Sequence, residues 1–173
     1  MKIAIVTDKS RQNLVPLEEA QVEDMQKSET VESVTKILSK KYDCIDLTAD
    51  EDIINKLRDE NVDLVFNLCN GIEGLSKLAQ IPAMLEFANI PYTGSSVLGH
   101  ALAINKIFSS TVFKSKKIPT PDFMSIDSLE DLKDMDMEFP IIVKPSDEGS
   151  SRGIHQDSLV FNIEQLEKKL RIS

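Results

Sequence analysis

The sequence lacks several features that mark particular classes of protein. It has no tryptophan and only two tyrosines, so broad aromatic stacking surfaces are not expected. Its two cysteines, Cys44 and Cys69, are too few for a disulfide framework or a complete zinc site, and both lie beside apolar runs, as reduced core thiols do. Positive charge is scarce too, because 20 Lys and Arg residues face 29 Asp and Glu residues, a net charge of −9. This balance opposes binding to nucleic-acid backbones and to anionic membranes, and neither is an expected partner.

Long apolar runs are also absent. The N-terminal run ends before Asp8 and is too short for a signal peptide, and no run approaches the ~18 residues of a membrane span. We therefore expect a cytoplasmic protein. The 173 residues, with an apolar fraction of 41% and a charged fraction of 28%, have the composition of a globular chain.

Short apolar runs alternate with helical patterns over the first two thirds of the chain. Strands are predicted at residues 2–7, 44–47 and 62–66, with a short extended piece at 90–93. Helices are predicted at residues 28–41, 81–88, 97–104 and 105–116. A further helix, with Ile53, Ile54 and Leu57 on one face, is predicted after a capping box at 48–51. Residues 8–27 are polar and irregular, and they predict a long loop. This order predicts an α/β fold, a parallel sheet flanked by helices, with ligands bound beyond the carboxyl ends of its strands.

The pattern changes after Lys117. A stiff Pro-Thr-Pro connector at 119–121 is followed by predicted strands at 123–125, 140–145, 154–156 and 159–161, a short helix within 127–134, and a final helix through Ile163, Leu166 and Leu170. These elements are too few for a self-sufficient domain, so we expect a piece of one. The predicted domains are residues 1–96, connecting helices at 97–117, and residues 118–173.

The most informative stretch combines a lysine with glycines and serines. An apolar strand ends at Lys144, and a loop of small residues follows over 146–153. Glycines let backbone N–H groups approach a phosphate, the lysine adds its ammonium, and serine hydroxyls add donors. The loop is not a Walker motif, because no Gly-Lys-Ser/Thr follows it and the next element is predicted as a strand. The combination favours a phosphate-binding loop over a plain hairpin turn.

Lys106 is a second candidate, at the predicted start of a helix. A positive charge there opposes the helix dipole, so the position is slightly unfavourable without an anion nearby. The alternative is a solvated surface lysine. The segment Ile90-Pro91-Tyr92-Thr93-Gly94-Ser95 precedes this helical region.

These stretches resemble the D-alanine–D-alanine ligases and their relatives in the ATP-grasp superfamily. That family has a segment like 90–95, a helix leading to Asp-Lys, a Pro-Thr-Pro connector, a strand ending in Lys-Pro, and a loop of the form Glu-Gly-Ser-Ser-x-Gly. Here the last two are Lys144-Pro145 and residues 148–153, in the same order. The resemblance is clearest over residues 62–155. It implies a pre-ATP-grasp domain on the substrate side, followed by the start of an α+β ATP-grasp lobe.

The resemblance implies an ATP-dependent carboxylate–amine ligase with a place in peptidoglycan biosynthesis. A carboxylate would be activated as an acyl phosphate, which an amine attacks to form an amide. ATP contacts are implied for Lys106, Lys144, Glu148, Gly149, Ser150, Ser151 and Gly153. Ser150 is also the catalytic candidate, because it would orient substrate or phosphate. The implied cofactors are ATP and magnesium, the substrate is an amino acid or a peptide-like molecule, and a homodimer is the oligomeric state to test.

Three regions depart from the family pattern. Residues 7–11 replace the Gly-Gly-x-Ser-x-Glu turn, residues 67–74 lack the family's histidine, and Asn105 replaces the aspartate before the lysine. The first two regions hold amino-acid contacts in that family, so the chain resembles a divergent branch whose substrate is open. Glu73 either meets a substrate ammonium or is a solvated loop charge.

In the family, the adenine hinge, an oxyanion-stabilising arginine and the magnesium ligands lie beyond the equivalent of Ser173. No residue here is therefore assigned to a metal, and no ligase turnover is expected of these 173 residues alone. His100 and His155 are interpreted as surface or packing residues. Two other functions stay open: a non-catalytic nucleotide- or metabolite-binding module, and an ATP-grasp ligase of other amino acids without a cell-wall role.

Overall fold

A three-stranded parallel sheet organises the first part of the chain. The computed structural model describes residues 1–71, 73–149 and 151–171, and it divides into two units, Met1–Ala101 and Leu102–Ser173. In the first unit, strands β1 (Lys2–Thr7), β2 (Asp43–Thr48) and β3 (Leu64–Asn67) lie in the order β2-β1-β3. Ile5 pairs with Asp46 on one side and Phe66 on the other. The predicted α/β fold class with a parallel sheet is confirmed.

Both faces of β1 are buried, as expected for the central strand of a parallel sheet. Ala4 and Val6 belong to an apolar cluster on one face, together with Ala49, Ile53, Leu57, Val65, Cys69, Ile81 and Leu85. Strand alternation turns Ile3 and Ile5 to the other face. Helix α1 (Leu17–Leu38) packs against β1 and β2, and Thr35 donates to Asp46 Oδ1 at 3.1 Å.

The remaining helices of this unit follow the predicted order. Helices α2 (Ile53–Asp59) and α3 (Gln80–Phe87) supply Ile53, Leu57, Ile81 and Leu85 to the core, and a 3-10 turn at Lys77–Ala79 precedes α3. Helix α4 spans Val97–Ile104. In the described parts of the chain, no helix combines the length and the hydropathy that a bilayer span requires.

The predicted loop at residues 8–27 is wrong in its second half. Helix α1 begins at Leu17, immediately after Pro16, whose carbonyl accepts from Ala20 N at 3.0 Å. Glu18 and Glu19 lie in the first turn, where acidic side chains favour helix formation. Ala20 is the single residue of the helix that is fully buried, so the early turns carry no apolar stripe that periodicity could detect.

The predicted capping box at residues 48–51 is also wrong. Thr48 is paired with Thr7 as the last residue of β2, so it has strand geometry and lies five residues before Ile53, the first residue of α2. The preceding segment is held instead by Asp50, whose carboxylate accepts from Asp52 N at 3.1 Å and pairs with Lys56 Nζ at 2.5 Å.

In the described part of the second unit, helices accompany a small antiparallel sheet. Its elements are α5 (Lys106–Ser115), β4 (Ile141–Ile142), β5 (Leu159–Val160) and α6 (Ile163–Leu170), with 3-10 turns at Leu129–Asp134 and Gln156–Ser158. Ile141 pairs with Val160 and Ile142 with Leu159. Val160 and Leu166 are fully buried in this unit.

Three strand predictions in this unit need correction. Residues 123–125 form no strand, because Phe123 lies under Lys114 Nζ at 5.0 Å and Asp122 pairs with that ammonium at 2.8 Å. The strand predicted at 140–145 is regular only at Ile141–Ile142, and Val143 N extends the pairing to Ser158 O at 2.8 Å. The strand predicted at 154–156 is wrong, because the chain turns there into the Gln156–Ser158 3-10 helix.

Candidate functional site

Polar side chains follow β1 and β3 where these strands end at the same edge of the sheet. Asp8 comes directly after β1, and Asn67 is the last residue of β3. Beyond β3 the chain stays beside β1, because Leu68 N donates to Val6 O at 2.9 Å. The Asn67 side chain accepts from Cys69 N at 3.1 Å and so turns the chain back toward Asp8. Ligands of parallel sheets bind at this edge.

The Asp8 carboxylate is the centre of this region. Its Oδ2 accepts from Asn70 N at 2.6 Å, and its Oδ1 accepts from Gly71 N at 3.1 Å. Burial raises the pKa of Asp8, and the two N–H groups and the charge of Lys27 offset this only in part. The folded state therefore binds this proton more tightly than the unfolded state. Asp8's contribution to the free energy of unfolding falls as the pH rises from its unfolded-state pKa through the folded-state value.

Cys69 lies beside Asp8 and is buried. Its Sγ is 3.5 Å from Val6 O. Burial, with the Asp8 charge as a second cause, raises the pKa of the Cys69 thiol. A protonated, buried thiol is a poor nucleophile, so Cys69 is a packing residue rather than a reactive group. Cys44 is a free cysteine on the half-exposed strand β2.

Glu73 follows the Asp8-bound segment and is exposed. Its backbone carbonyl accepts from Gln80 Nε2 at 2.9 Å, which ties this part of the loop to α3. Lys77 N donates to Gly74 O at 3.1 Å, and the Lys77 side chain is buried. The loop therefore presents the Glu73 carboxylate to solvent from a backbone fixed on both sides, and whether it meets a substrate stays a prediction.

In the second unit, Lys106 holds the small-residue loop by two contacts. Asn105 caps α5 by accepting from Phe108 N at 3.0 Å, so Lys106 is the first residue of the helix, where it was predicted. Lys106 N donates to Ser146 O at 2.8 Å, and its Nζ donates to the Glu148 carbonyl. The structure thus brings together Lys106 and the loop that follows Lys144, which are 38 or more residues apart in the chain.

The loop itself has a tightly turned backbone. Gly153 has φ +70°, and a Cβ there would lie 2.5 Å from Pro145 Cγ, so a side chain does not fit. Ser151 also has a positive φ of 60°. Within the loop, Arg152 N donates to Gly149 O at 3.0 Å, and Ile154 N to Ser151 O at 3.1 Å. Within the described chain, a Cβ at Gly149 would meet Ile104 Cδ1 at 3.7 Å, an ordinary van der Waals contact.

Charged side chains line the start of the loop. Glu148 Oε2 lies 3.7 Å from Arg152 Nη1, and both side chains are mostly buried. Lys144 is exposed, and its ammonium makes no hydrogen bond or ion pair within the described chain. Ser150, the catalytic candidate, lies outside the described residues. The assignment of these residues to ATP stays a prediction.

An apolar surface lies beside Lys144. Ile142 and Leu159 are cross-strand partners and are 56% and 43% exposed, and Phe161, two residues after Leu159, is 59% exposed. Lys144 follows Ile142 by two residues and is exposed as well. The exposed face of the β4–β5 sheet therefore offers apolar contact next to an ammonium.

Residues 1–71, 73–149 and 151–171 contain no group of three His, Cys, Asp or Glu side chains that could hold a metal ion. Among the predicted packing residues, His100 lies on α4, and its Nε2 is buried 3.3 Å from where a Cβ on Gly94 would stand. His155 is exposed and precedes a 3-10 turn, with its N–H donating to Ser158 Oγ at 2.9 Å.

Asp8 is not among the site residues predicted from the sequence. The signal was available, because an aspartate directly after a buried strand lies at the edge where parallel sheets bind ligands. Its partners, the N–H groups of Asn70 and Gly71, come from more than 60 residues away, and such pairing leaves no local pattern.

Curated proteins with similar sequences include several D-alanine–D-alanine ligases. The ligase of Carboxydothermus hydrogenoformans is 32% identical over 143 residues, which cover 78% of this chain and 44% of that one. The ligase of Geotalea uraniireducens is 38% identical over 121 residues, covering 68% and 38%. The uncharacterized protein y4sG of Sinorhizobium fredii is 40% identical over 109 residues, covering 63% and 31%. The chain thus spans less than half the length of these relatives.

Solved structures with the same fold include ligases. The D-alanine–D-alanine ligase of Bacillus anthracis matches with a TM-score of 0.70 and 24% identity, over 99% of this chain and 53% of that one. The VanG D-Ala:D-Ser ligase of Enterococcus faecalis matches with a TM-score of 0.66 and 21% identity, over 99% and 58%. No family model matches the chain.

Proposed function

Because the chain belongs to the D-alanine–D-alanine ligase-like ATP-grasp family, we propose that it is the N-terminal part of an ATP-dependent carboxylate–amine ligase. In this proposal residues 1–96 form the substrate-side domain, 97–117 the connecting helices, and 118–173 the first part of the ATP-binding lobe. A structure of the Bacillus anthracis ligase is described as complexed with ATP, which supports ATP as the phosphoryl donor.

The observation that carries the proposal is the arrangement of Lys106 and Lys144 around one loop. Lys106 binds the loop backbone at Ser146 and Glu148, and Lys144 leads into it with an exposed ammonium. Two ammonium groups on a glycine-containing loop supply the positive charge and close backbone approach that a triphosphate needs. A salt-bridging role does not account for Lys144, because it pairs with no acidic group in the described chain.

The apolar face beside Lys144 suits the other half of a nucleotide. Ile142 and Leu159 are exposed on the β4–β5 sheet and Phe161 is exposed just after it, and a purine ring could lie on them while its phosphates reach toward Lys144. Burying this face against a base would remove apolar surface from water, at roughly 25 cal/mol per Å². We assign this face to the base and the loop to the phosphates.

The proposed reaction has two steps. A carboxylate oxygen attacks the γ-phosphorus of ATP, forming an acyl phosphate and releasing ADP. An amine then attacks the acyl carbon, the amide forms, and inorganic phosphate leaves with the former carboxylate oxygen. Lysine charges would neutralise the transferred phosphoryl group, Gly149, Ser151 and Gly153 would shape the loop around it, and Ser150 would orient it. Magnesium would add charge neutralisation, but the described residues form no metal cluster, so no step is assigned through it here.

The substrates are amino acids in this proposal. The Glu73 carboxylate would form an ion pair with the amino group of the amine substrate while that group is protonated. A cell-wall role follows if both substrates are D-alanine, and the use of ATP places the enzyme in the cytoplasm. Residues 7–11 differ from the ligase pattern, so a ligase of other amino acids is the alternative within the same chemistry.

Amino-acid-dependent ADP formation tests this proposal. The protein encoded by the reading frame that contains these residues is assayed with ATP and a panel of D- and L-amino acids, alone and in pairs. We expect ADP only when a suitable pair is present, with amide product in equal amount. ATP binding without ADP formation across the panel would favour the non-catalytic binding module, and ADP formation with L-amino acids alone would remove the cell-wall role.

A further inference from the structure

We infer that Asp8 is a positioning residue that sets the place of Cys69, Asn70 and Gly71 ahead of Glu73, and thereby the affinity of the protein for its amine substrate. The inference rests on the proposed function, because the substrate contact that it governs is the one assigned to Glu73. It adds a residue that the phosphate site does not use.

Asp8 tethers the loop that follows β3 through its carboxylate. The two carboxylate oxygens of Asp8 accept from the consecutive N–H groups of Asn70 and Gly71, at 2.6 and 3.1 Å. Hydrogen bonds to a charged acceptor are stronger than neutral ones. A single side chain therefore fixes two successive peptide units of the loop to the end of β1.

Asp8 is itself held in place by helix α1. Lys27 of α1 donates from Nζ to the Asp8 backbone carbonyl at 3.0 Å, and Asp24 holds that ammonium at 2.9 Å. Asp8 thus joins the end of β1, helix α1 and the loop after β3. The anchor is rigid because two of these elements belong to the sheet and its packed helix.

The tethered residue Gly71 is close in sequence to Glu73. Gly71 is buried with φ +75°, and a Cβ there would lie 2.1 Å from Lys77 O, so this point of the loop has a single close-packed position. Glu73 lies two residues later, and Gln80 holds its carbonyl from the other side. Releasing Gly71 from Asp8 would move the backbone that carries the Glu73 carboxylate.

A neutral amide cannot replace the carboxylate in this role. In Asp8→Asn, one of the two acceptors becomes an NH₂ group, which would face a backbone N–H and repel it. The variant keeps the size of the side chain and removes one tether bond. The matched control is Asp50→Asn, because Asp50 follows β2 at the same edge and pairs with Lys56 rather than with the loop.

The test measures amide hydrogen exchange at Asn70 and Gly71, together with KM for the amino acid and for ATP. For Asp8→Asn we expect faster exchange at both amides and a KM for the amino acid raised by about 10- to 100-fold, as the loss of a charged hydrogen bond implies. KM for ATP should stay within about twofold, and Asp50→Asn should match wild type in all three. Asp8→Glu keeps both acceptor oxygens and should restore part of the affinity, and it replaces Asp8→Asn if that variant fails to fold.

Unchanged exchange at Asn70 and Gly71, or faster exchange with an unchanged KM for the amino acid, would overturn the inference while the ligase assignment stands. A wild-type protein without amino-acid-dependent turnover would overturn the proposed function, and this inference with it.

Discussion

Lys144→Ala is expected to lower kcat/KM for ATP by about 10²- to 10³-fold, while the free energy of unfolding stays within about 0.5 kcal/mol of wild type. Lys144 is exposed and has no partner within the described chain, so folding gains little from its charge. In a closed site, the same charge would lie beside the transferred phosphoryl group, where one well-placed donor can contribute several kcal/mol. Steady-state kinetics and urea unfolding on the same samples measure both effects.

Two further variants sharpen this experiment. Lys106→Ala should lose a similar factor in kcat/KM and also loosen the loop, because Lys106 Nζ donates to the Glu148 carbonyl. Lys116→Ala is the matched control, since Lys116 is an exposed lysine at the far end of the same helix α5. Wild-type kcat/KM in Lys144→Ala would refute the phosphate assignment, and equal losses in all three variants would show a general charge effect.

Gly71→Ala is expected to destabilise the first unit by about 3 kcal/mol. The residue has φ +75°, which costs an L-residue about 1–2 kcal/mol. Its new Cβ would also lie 2.1 Å from the Lys77 carbonyl oxygen, a backbone atom that cannot turn away as a side chain can. Overpacking of this kind costs about 1–3 kcal/mol. Within these 173 residues there is no tryptophan and both tyrosines, Tyr42 and Tyr92, lie in this unit, so urea unfolding of this stretch followed by tyrosine fluorescence reports on it.

Gly74→Ala is the control for the steric part of this effect. Gly74 also has a positive φ, of 95°, but a Cβ there would meet only the Gln80 side chain, at 3.8 Å. This variant should therefore lose only the conformational cost, about 1 kcal/mol. A loss in Gly71→Ala no larger than that in Gly74→Ala would show that the loop moves freely away from Lys77.

The parallel sheet could be predicted because its signals are local. The apolar runs of β1 and β3 stand out in the sequence, and so does the helical spacing of the buried residues of α2 (Ile53, Leu57) and α3 (Ile81, Leu85). The first half of α1 could not be found in this way, because Ala20 is its single buried residue and the helix depends on propensity and charge. The reverse happened at Thr48. The sequence there has a capping pattern, but Thr48 pairs with Thr7 as part of strand β2 instead of capping a helix.

The Lys144 loop and the Asp8 tether also differ in whether their sequence signals are local. The Lys144 loop could be predicted because its lysine, glycines and serines are close in sequence, and Gly153 does adopt the positive φ that a glycine allows. The Asp8 tether could not, because it joins residues more than 60 positions apart through backbone N–H groups that every residue possesses. The contact of Lys106 with Glu148 is equally long-range, and the family resemblance alone linked the two before the fold was known.

The most direct test of the central claim follows the carboxylate oxygen. The carboxylate substrate is labelled with ¹⁸O, and the inorganic phosphate released with the amide is analysed by mass spectrometry or ³¹P NMR. An acyl phosphate intermediate transfers one labelled oxygen to phosphate for each amide formed, and this is the result that we predict. If ADP and amide form in equal amounts but the released phosphate carries no ¹⁸O, this result would contradict activation of the carboxylate by ATP.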